Sequence, residues 1–295
     1  MTKQRVLVTG GSGFIAGHCI LRLLDQGYLV RTTVRSPTRT SSDSEDLTFV
    51  TADLLSDEGW PEAVSGCDYV LHVASPVHLG EITDENDLIA PAVDGTLRVL
   101  RAARDAGVKR VVLTSAFHAV GWGHPPTDHT FTEDDWSDLD GPGIDAYGKS
   151  KTLAERVAWD FMATEGGSME LVTLLPVAVM GPMLGSEVSG ANRILQRLRD
   201  GLPVPNMWIP IVDVRDVATA HVLAMTTADA AGERFLLSSG PAKEVREIAA
   251  ILDVPFENPG DPGHAKKVSS EKARKILGWE PRDPEAAITA PPRQE

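Results

Sequence analysis

From Arg5 to Pro176, short β-branched and aliphatic runs alternate with helix-length amphipathic stretches, and that alternation constrains the fold more than any other feature of the chain. The strand-like runs fall at residues 5–9, 29–34, 48–51, 69–73, 110–114 and 171–175. Helical patterns are expected at 14–26, roughly 89–106, and 146 to about 165, the first two stopped by Gly27 and Gly107. Strand, helix, strand in repeated order means parallel strands joined by right-handed crossovers. The runs are continuously apolar (VLV, YVLHV, VVL, LVTLL), as strands covered by helices on both faces must be. The spacing predicts an α/β chain built on a doubly wound parallel sheet.

The first strand runs straight into Thr9-Gly10-Gly11-Ser12-Gly13-Phe14-Ile15-Ala16. Glycines at Gly10 and Gly13 permit a tight turn and let the backbone approach a pyrophosphate. The helix opening at Phe14 and Ile15 offers free N–H groups and a positive dipole end. A glycine-rich turn alone is a weak signal, but this one follows the first strand and opens the first helix, the context a dinucleotide site requires. The expected architecture is therefore a Rossmann domain over 1–181, rejoined by about 206–238. A smaller C-terminal substrate lobe comes from 182–205 and 239–295. There the alternation weakens. Helices are expected at 192–200, 214–226, 242–252 and 270–277, with a strand at 233–238 and a frayed end over 291–295.

An NAD site of this type places an acidic residue at the end of the second strand, against the ribose hydroxyls. Here that strand ends Val34-Arg35. An apolar residue cannot hold the 2′-hydroxyl, whereas a guanidinium suits a 2′-phosphate, so the turn points to NADP(H), with Arg31 and Arg39 able to assist Arg35. Asp53 and Leu54, just past the third strand, fall where the adenine lies. Asp53 can accept from the adenine amino group or simply cap the next turn.

Tyr147 and Lys151 open the long helix four residues apart and share a face. Reducing a carbonyl needs a proton donor beside its oxygen. A nearby ammonium stabilises the phenolate and draws the phenol toward the working range.

Composition narrows the partners. The 295 residues carry 28 basic against 42 acidic side chains, a net charge of -14, which disfavours nucleic acid and anionic membrane. A phosphate site must then build its positive field locally. The N-terminus enters a strand at once, and no apolar run is long enough to span a bilayer. Two isolated cysteines, Cys19 and Cys67, suit a reducing compartment, and a cytoplasmic protein is expected.

These pieces together resemble the extended short-chain dehydrogenase/reductases of the NAD-dependent epimerase/dehydratase superfamily. The resemblance is strongest to the group of dihydroflavonol reductases, cinnamoyl-CoA reductases and microbial carbonyl reductases. It covers nearly the whole chain, through VTGGSGFIAGH at 8–18, VRTTVR at 30–35, ADL at 52–54, HVASPV at 72–77, RVVLTS at 110–115, YGKSK at 147–151, LLPVAVMGP at 174–182, VDVRDVATAH at 212–221 and KARKILGWEPR at 272–282. The resemblance implies Tyr147 as the acid/base, Lys151 as its partner and Arg35 on the 2′-phosphate. It implies that Ala74, Ser75 and Pro76 line the cofactor after the fourth strand and Thr114 after the fifth, with Pro176 and Val179 flanking the nicotinamide. A monomer or homodimer acting on a small carbonyl or alcohol is implied as well.

Two positions depart from the family pattern. Ala116 stands where many members carry a hydroxyl that holds the carbonyl oxygen. Ser115 reaches in, or Thr114 or His118 substitutes, or Tyr147 acts alone. Asp94 stands where the family often has Asn.

His72, His78, His118, His124 and His129 have no metal-ligand spacing, and no metal is expected. His72 reads as core packing; His118 and Trp122, at the edge of the sheet where ligands bind, can touch substrate or merely pack. Two other functions fit the fold: a nucleotide-sugar epimerase or dehydratase, against which Arg35 weighs, and a catalytically idle NADP-binding sensor, against which the Tyr147–Lys151 pair weighs.

Overall fold

The computed structural model describes residues 3–36, 44–76, 84–185, 188, 190–258 and 260–290. Val77, His78 and Arg39, singled out above, lie outside the described residues.

The chain runs β1 (Arg5–Val8), α1 (Phe14–Asp25), β2 (Leu29–Val34), β3 (Leu47–Thr51), α2 (Trp60–Val64), β4 (Tyr69–His72), α3 (Asn86–Asp105), β5 (Arg110–Thr114), β6 (Thr130–Phe131) and α4 (Ala146–Thr164). It continues through β7 (Glu170–Pro176), β8 (Ala178–Met180), α5 (Asn192–Arg199), β9 (Trp208–Ile209), β10 (Ile211–Asp213) and α6 (Val214–Thr226). It ends with β11 (Arg234–Leu237), β12 (Lys243–Glu244), α7 (Val245–Ile251), β13 (Lys267–Val268), α8 (Glu271–Leu277) and α9 (Pro284–Ile288).

Seven parallel strands form the central sheet in the order β11-β7-β5-β4-β1-β2-β3. β2 and β3 build outward from β1, and the chain then crosses back to lay β4 on the other side of β1. The reversal opens a crevice beyond the carboxyl ends of β1 and β4, where ligands bind in sheets of this kind.

Strand residues alternate between two cores. Val6, Val8, Leu71 and Val112 pack with Cys19 and Leu23 of α1 and Val217 of α6. Leu7, Val70, Val111 and Leu113 face the opposite way, against Trp60 of α2, Leu100 of α3 and Phe161 of α4. Both faces are thus covered, which is why the strands read as unbroken apolar runs. Cys19 and Cys67 are both buried and free.

A third, smaller core joins Met180, Leu195, Ile209 and Ile211 to Val245, Ile248 and Ile288. Two segments pack differently from the division anticipated. β9 pairs with β12 and β10 with β8, and Ile209 and Ile211 join the smaller core while Val212 packs in the larger one. Conversely Ala273, Leu277 and Trp279 sit in the larger one. The short strands β6, β9, β12 and β13 gave no periodic signal because two residues carry no period. The helix anticipated over 242–252 starts later, at Val245, because Lys243 and Glu244 are spent on β12. A capping box between Glu244 and Glu247 then fixes the start of α7.

Trp279 is fully buried, and its indole N–H donates to the main-chain oxygen of Asp216 on α6 (2.9 Å). It ties the C-terminal segment to the sheet domain. Trp279→Ala is expected to destabilise the protein by about 3–5 kcal/mol, the range for emptying a buried aromatic site. Urea unfolding checks it, and a loss under about 1 kcal/mol would show that the anchor is dispensable.

Candidate functional site

Thr9 leaves the end of β1 and fixes the geometry of the crevice. Its hydroxyl accepts from the main-chain N–H groups of Val73 (3.0 Å) and Ala74 (2.9 Å). With both lone pairs used, its proton goes to His72 Nδ1 (3.0 Å). Burial first, and the Lys151 charge second, bring the imidazole of His72 down to about 3, so the ring is a neutral acceptor in the core. One hydroxyl thereby locks the end of β1 to the end of β4.

The glycine turn is pinned on its other side to β2. Gly10 N–H donates to Thr33 Oγ1 and Gly11 N–H to the Thr33 carbonyl, both at 2.9 Å. Gly10 has φ +74°, and a Cβ there would stand 3.0 Å from that of Ala74; a Cβ on Gly11 would fall 2.2 Å from Thr32 Oγ1. Gly13 is the N-cap of α1, and no side chain caps the first turn. The amides of Phe14 and Ile15 therefore face a cradle that side chains cannot enter. A close-approaching backbone with helix-terminal N–H groups fits a pyrophosphate.

Val34, at the end of β2, is buried, so no acidic side chain stands there. Arg35 follows, exposed, with no hydrogen bond or ion pair among the described residues. Arg31 does not assist it. Its Nη1 donates to the carbonyls of Glu62 (2.9 Å), Ala63 (3.0 Å) and Ser65 (2.8 Å), the exposed carbonyl end of α2. Asp53 spends Oδ1 on the Leu55 N–H (3.0 Å), the turn-capping role, while its main-chain oxygen takes the Trp60 indole N–H (3.0 Å).

Asp145 caps α4, accepting from Gly148 N–H (2.8 Å). This sets the helix start so that Tyr147 sits in the first turn at the carboxyl edge of the sheet and Lys151 one turn on. Lys151 Nζ lies 5.8 Å from the Tyr147 ring centroid. Burial draws the lysine down to about 8, against the opposing charge of Glu155. Desolvation and then the Asp145 carboxylate push the phenol up to about 12. Tyr147 still keeps 39% of its surface exposed, within reach of a substrate. His118 meets the Tyr147 ring edge-on at 4.9 Å and stacks on Trp122 at 3.9 Å.

Leu54, Ala74, Ser75, Pro76, Thr114 and Lys151 line one cleft, which brings together six residues singled out from sequence. Pro176 and Val179 lie farther along the same edge, at the end of β7 and in β8. Ser115 also lines the cleft, but its hydroxyl donates to Glu155 Oε2 (2.7 Å). The Thr114 hydroxyl donates to His221 Nε2 (2.7 Å), since His221 Nδ1 gives its own proton to the Val217 carbonyl (2.8 Å). In this arrangement neither hydroxyl has a proton free for a carbonyl oxygen. Ala116 is buried. That leaves Tyr147 alone or the His118 imidazole, whose ring nitrogens make no hydrogen bond among the described residues. No group of three metal-ligating side chains gathers among the described residues, and none of their helices is long and apolar enough to cross a membrane.

Sequence reasoning missed Thr9, His221, Glu155 and Arg234. Only Glu155 carried a signal, its spacing of four from Lys151 on the helix face that also bears Tyr147.

The family model for the NAD dependent epimerase/dehydratase family matches residues 6–237. The chain belongs to that family. Within this NAD dependent epimerase/dehydratase family it is 35% identical to cinnamoyl-CoA reductase CAD2 of Medicago truncatula, over 93% of this chain and 90% of the relative. It is 33% identical to an anthocyanidin reductase of Vitis vinifera, over 85% and 80%. Among solved structures it resembles Gre2 of Candida albicans in complex with NADPH, with a TM-score of 0.86, 28% identity and coverage of 97% and 96%. It also resembles vestitone reductase of Medicago sativa, with a TM-score of 0.81, 27% identity and coverage of 97% and 96%. This member of the family is an oxidoreductase of the extended short-chain type.

Three histidines withdrawn from solvent give a stability prediction. Desolvation lowers His72 to about 3 and His118 and His221 to about 4, from 6.5. Between pH 6.5 and about 4 the unfolded chain takes up protons that the folded one refuses, so stability falls as pH falls through that window. Melting temperature against pH should show this slope, and His221→Asn should flatten it. A slope unchanged in the variant would remove His221 from the account.

Proposed function

We propose that this oxidoreductase is an NADP(H)-dependent carbonyl reductase, working in reverse as an alcohol dehydrogenase on a ketone/alcohol or aldehyde/alcohol pair. The observation that carries the reading is the Tyr147–Lys151 pair on one face of α4, beside the cleft at the carboxyl ends of β4 and β5. When bound, the reduced nicotinamide supplies a hydride to the carbonyl carbon.

The chain's own residues do the rest. Gly10, Gly13 and the amides of Phe14 and Ile15 take the pyrophosphate. Arg35, exposed at the end of β2, takes the 2′-phosphate, and Asp53 and Leu54 border the adenine. Ala74, Ser75, Pro76 and Thr114 line the cofactor, with Pro176 and Val179 toward the nicotinamide. The complex of Candida albicans Gre2 with NADPH supports this choice of dinucleotide. Tyr147 gives its proton to the carbonyl oxygen as that oxygen gains charge, and solvent returns one to the phenolate. A phenol pushed up to about 12 stays protonated at neutral pH, which suits reduction, and the Lys151 ammonium stabilises the phenolate that forms. His118 is the donor we assign beside it in place of the hydroxyl missing at Ala116, since Ser115 is engaged with Glu155.

Consumption of reduced nicotinamide across a panel of ketones and aldehydes tests the reading. Turnover should prefer NADPH to NADH and should disappear in Tyr147→Phe while NADPH binding persists. No turnover with any carbonyl, with tight NADPH binding retained, would sink the reductase reading. Arg35→Ser should weaken NADPH by about tenfold, the worth of one charge-assisted contact, and leave NADH unchanged. Equal effects on both cofactors would move the 2′-phosphate elsewhere. Reductive turnover should decline as pH rises through about 8, where Lys151 loses its proton; a flat profile to pH 10 would show that this ammonium is not required.

A further inference from the structure

Glu155 lies one turn beyond Lys151 on α4, fully buried, and lines the same cleft. Its Oε2 accepts from Ser115 Oγ (2.7 Å), and its Oε1 accepts from Thr173 Oγ1 (2.8 Å), Trp159 Nε1 (3.4 Å) and Arg234 Nε (2.8 Å). Arg234 adds a longer bond from Nη2 to Oε2 (3.3 Å). The guanidinium is itself fixed from behind. It donates to the main-chain oxygens of Glu133 and Asp135 and lies 3.7 Å over the Trp136 ring.

Anchoring alone does not require such a charge. A buried ion pair contributes little to stability compared with packed apolar residues of the same volume. A carboxylate kept in a cleft beside a lysine therefore calls for a role in that cleft. Of the described residues lining it, Glu155 alone is acidic. Among the described residues, the other charged or titratable groups around Lys151 are Tyr147 on α4, Asp145 at its N-cap, His72 from β4, His118 after β5, and Arg234 from β11, behind Glu155. α3 contributes only the uncharged Ala92 and Thr96 to the cleft. The two histidines stay neutral and Tyr147 stays protonated at the pH where Lys151 titrates, so Glu155 supplies the field that opposes the desolvation of the ammonium.

We propose that Glu155 is a positioning residue for Lys151: its carboxylate, one turn along α4 in the same cleft, favours the charged ammonium, and Arg234, paired to the same carboxylate, tempers that field. The proposal rests on the reading of Lys151 as the partner of Tyr147.

Two substitutions break the same ion pair and separate a field from a scaffold. Glu155→Gln keeps the shape and an acceptor but removes the negative charge, and should move the titration of Lys151 down by about 1 pH unit. Arg234→Gln leaves the carboxylate unshielded and should move it up. A purely structural role would move both variants alike. The titration is read by NMR of the side-chain nitrogen of labelled lysine in the full chain, with Lys151→Met to assign the signal, and needs no turnover. Shifts of opposite sign are the expected result, with the alkaline limb of reductive turnover moving in the same two directions. Shifts of one sign, or none, overturn the proposal. Should Glu155→Gln fail to fold, Arg234→Gln decides alone: an upward shift supports the proposal, and a downward or absent one overturns it. Opposite shifts in a protein that reduces no carbonyl would leave the charge pairing standing and overturn the reductase reading instead.

Discussion

Parallel strands cannot be joined by hairpins, and the rest of this molecule follows from that constraint. Each strand must be followed by a crossover long enough to return the chain to the starting edge, and here those crossovers carry α1, α3, α4 and α6. All the strand-to-helix turns then gather at one edge. The glycine turn after β1, Val73–Pro76 after β4, Ser115–His118 after β5 and Pro176 at the end of β7 are far apart in sequence and share that edge because the sheet puts them there. The reversal of strand order between β1 and β4 adds the gap in which a ligand can lie. Thr9 holds that gap to one width, since its single hydroxyl serves two amides and an imidazole at once.

The chain's charge makes the site's cations informative. In a protein of net charge -14, arginines close to a candidate phosphate site are a local investment against the overall field. Two arginines on one strand end up with opposite fates. Arg31 is used up on the carbonyl end of α2, and Arg35, four residues later, is left exposed and without a partner among the described residues. On α4 the arrangement is reversed. Lys151 is sunk in the cleft, and Glu155, one turn along α4, is paired to Arg234. Positive charge is thus exposed at the end of β2 and sunk in the cleft on α4.

Much of this was legible before any coordinates. Apolar and β-branched runs mark the strands, and glycine turns and caps punctuate them. The seven sheet strands and the four long helices could therefore be placed to within a few residues. The Tyr147–Lys151 spacing and the Val34–Arg35 switch are local patterns, and local patterns survive in one dimension. By itself the sequence determined the layer order, the position of the glycine turn and the face shared by Tyr147 and Lys151. Only the tertiary structure decided which side chains were already committed. Ser115 and Thr114 look like free hydroxyls in a sequence, yet their protons go to Glu155 on α4 and His221 on α6, elements 40 and 107 residues away. Arg31 and Arg35 are alike in sequence until α2 folds back beneath the first. Backbone periodicity is written in neighbouring residues, whereas a hydrogen bond's second partner is chosen by packing, and packing brings together residues that no spacing rule connects.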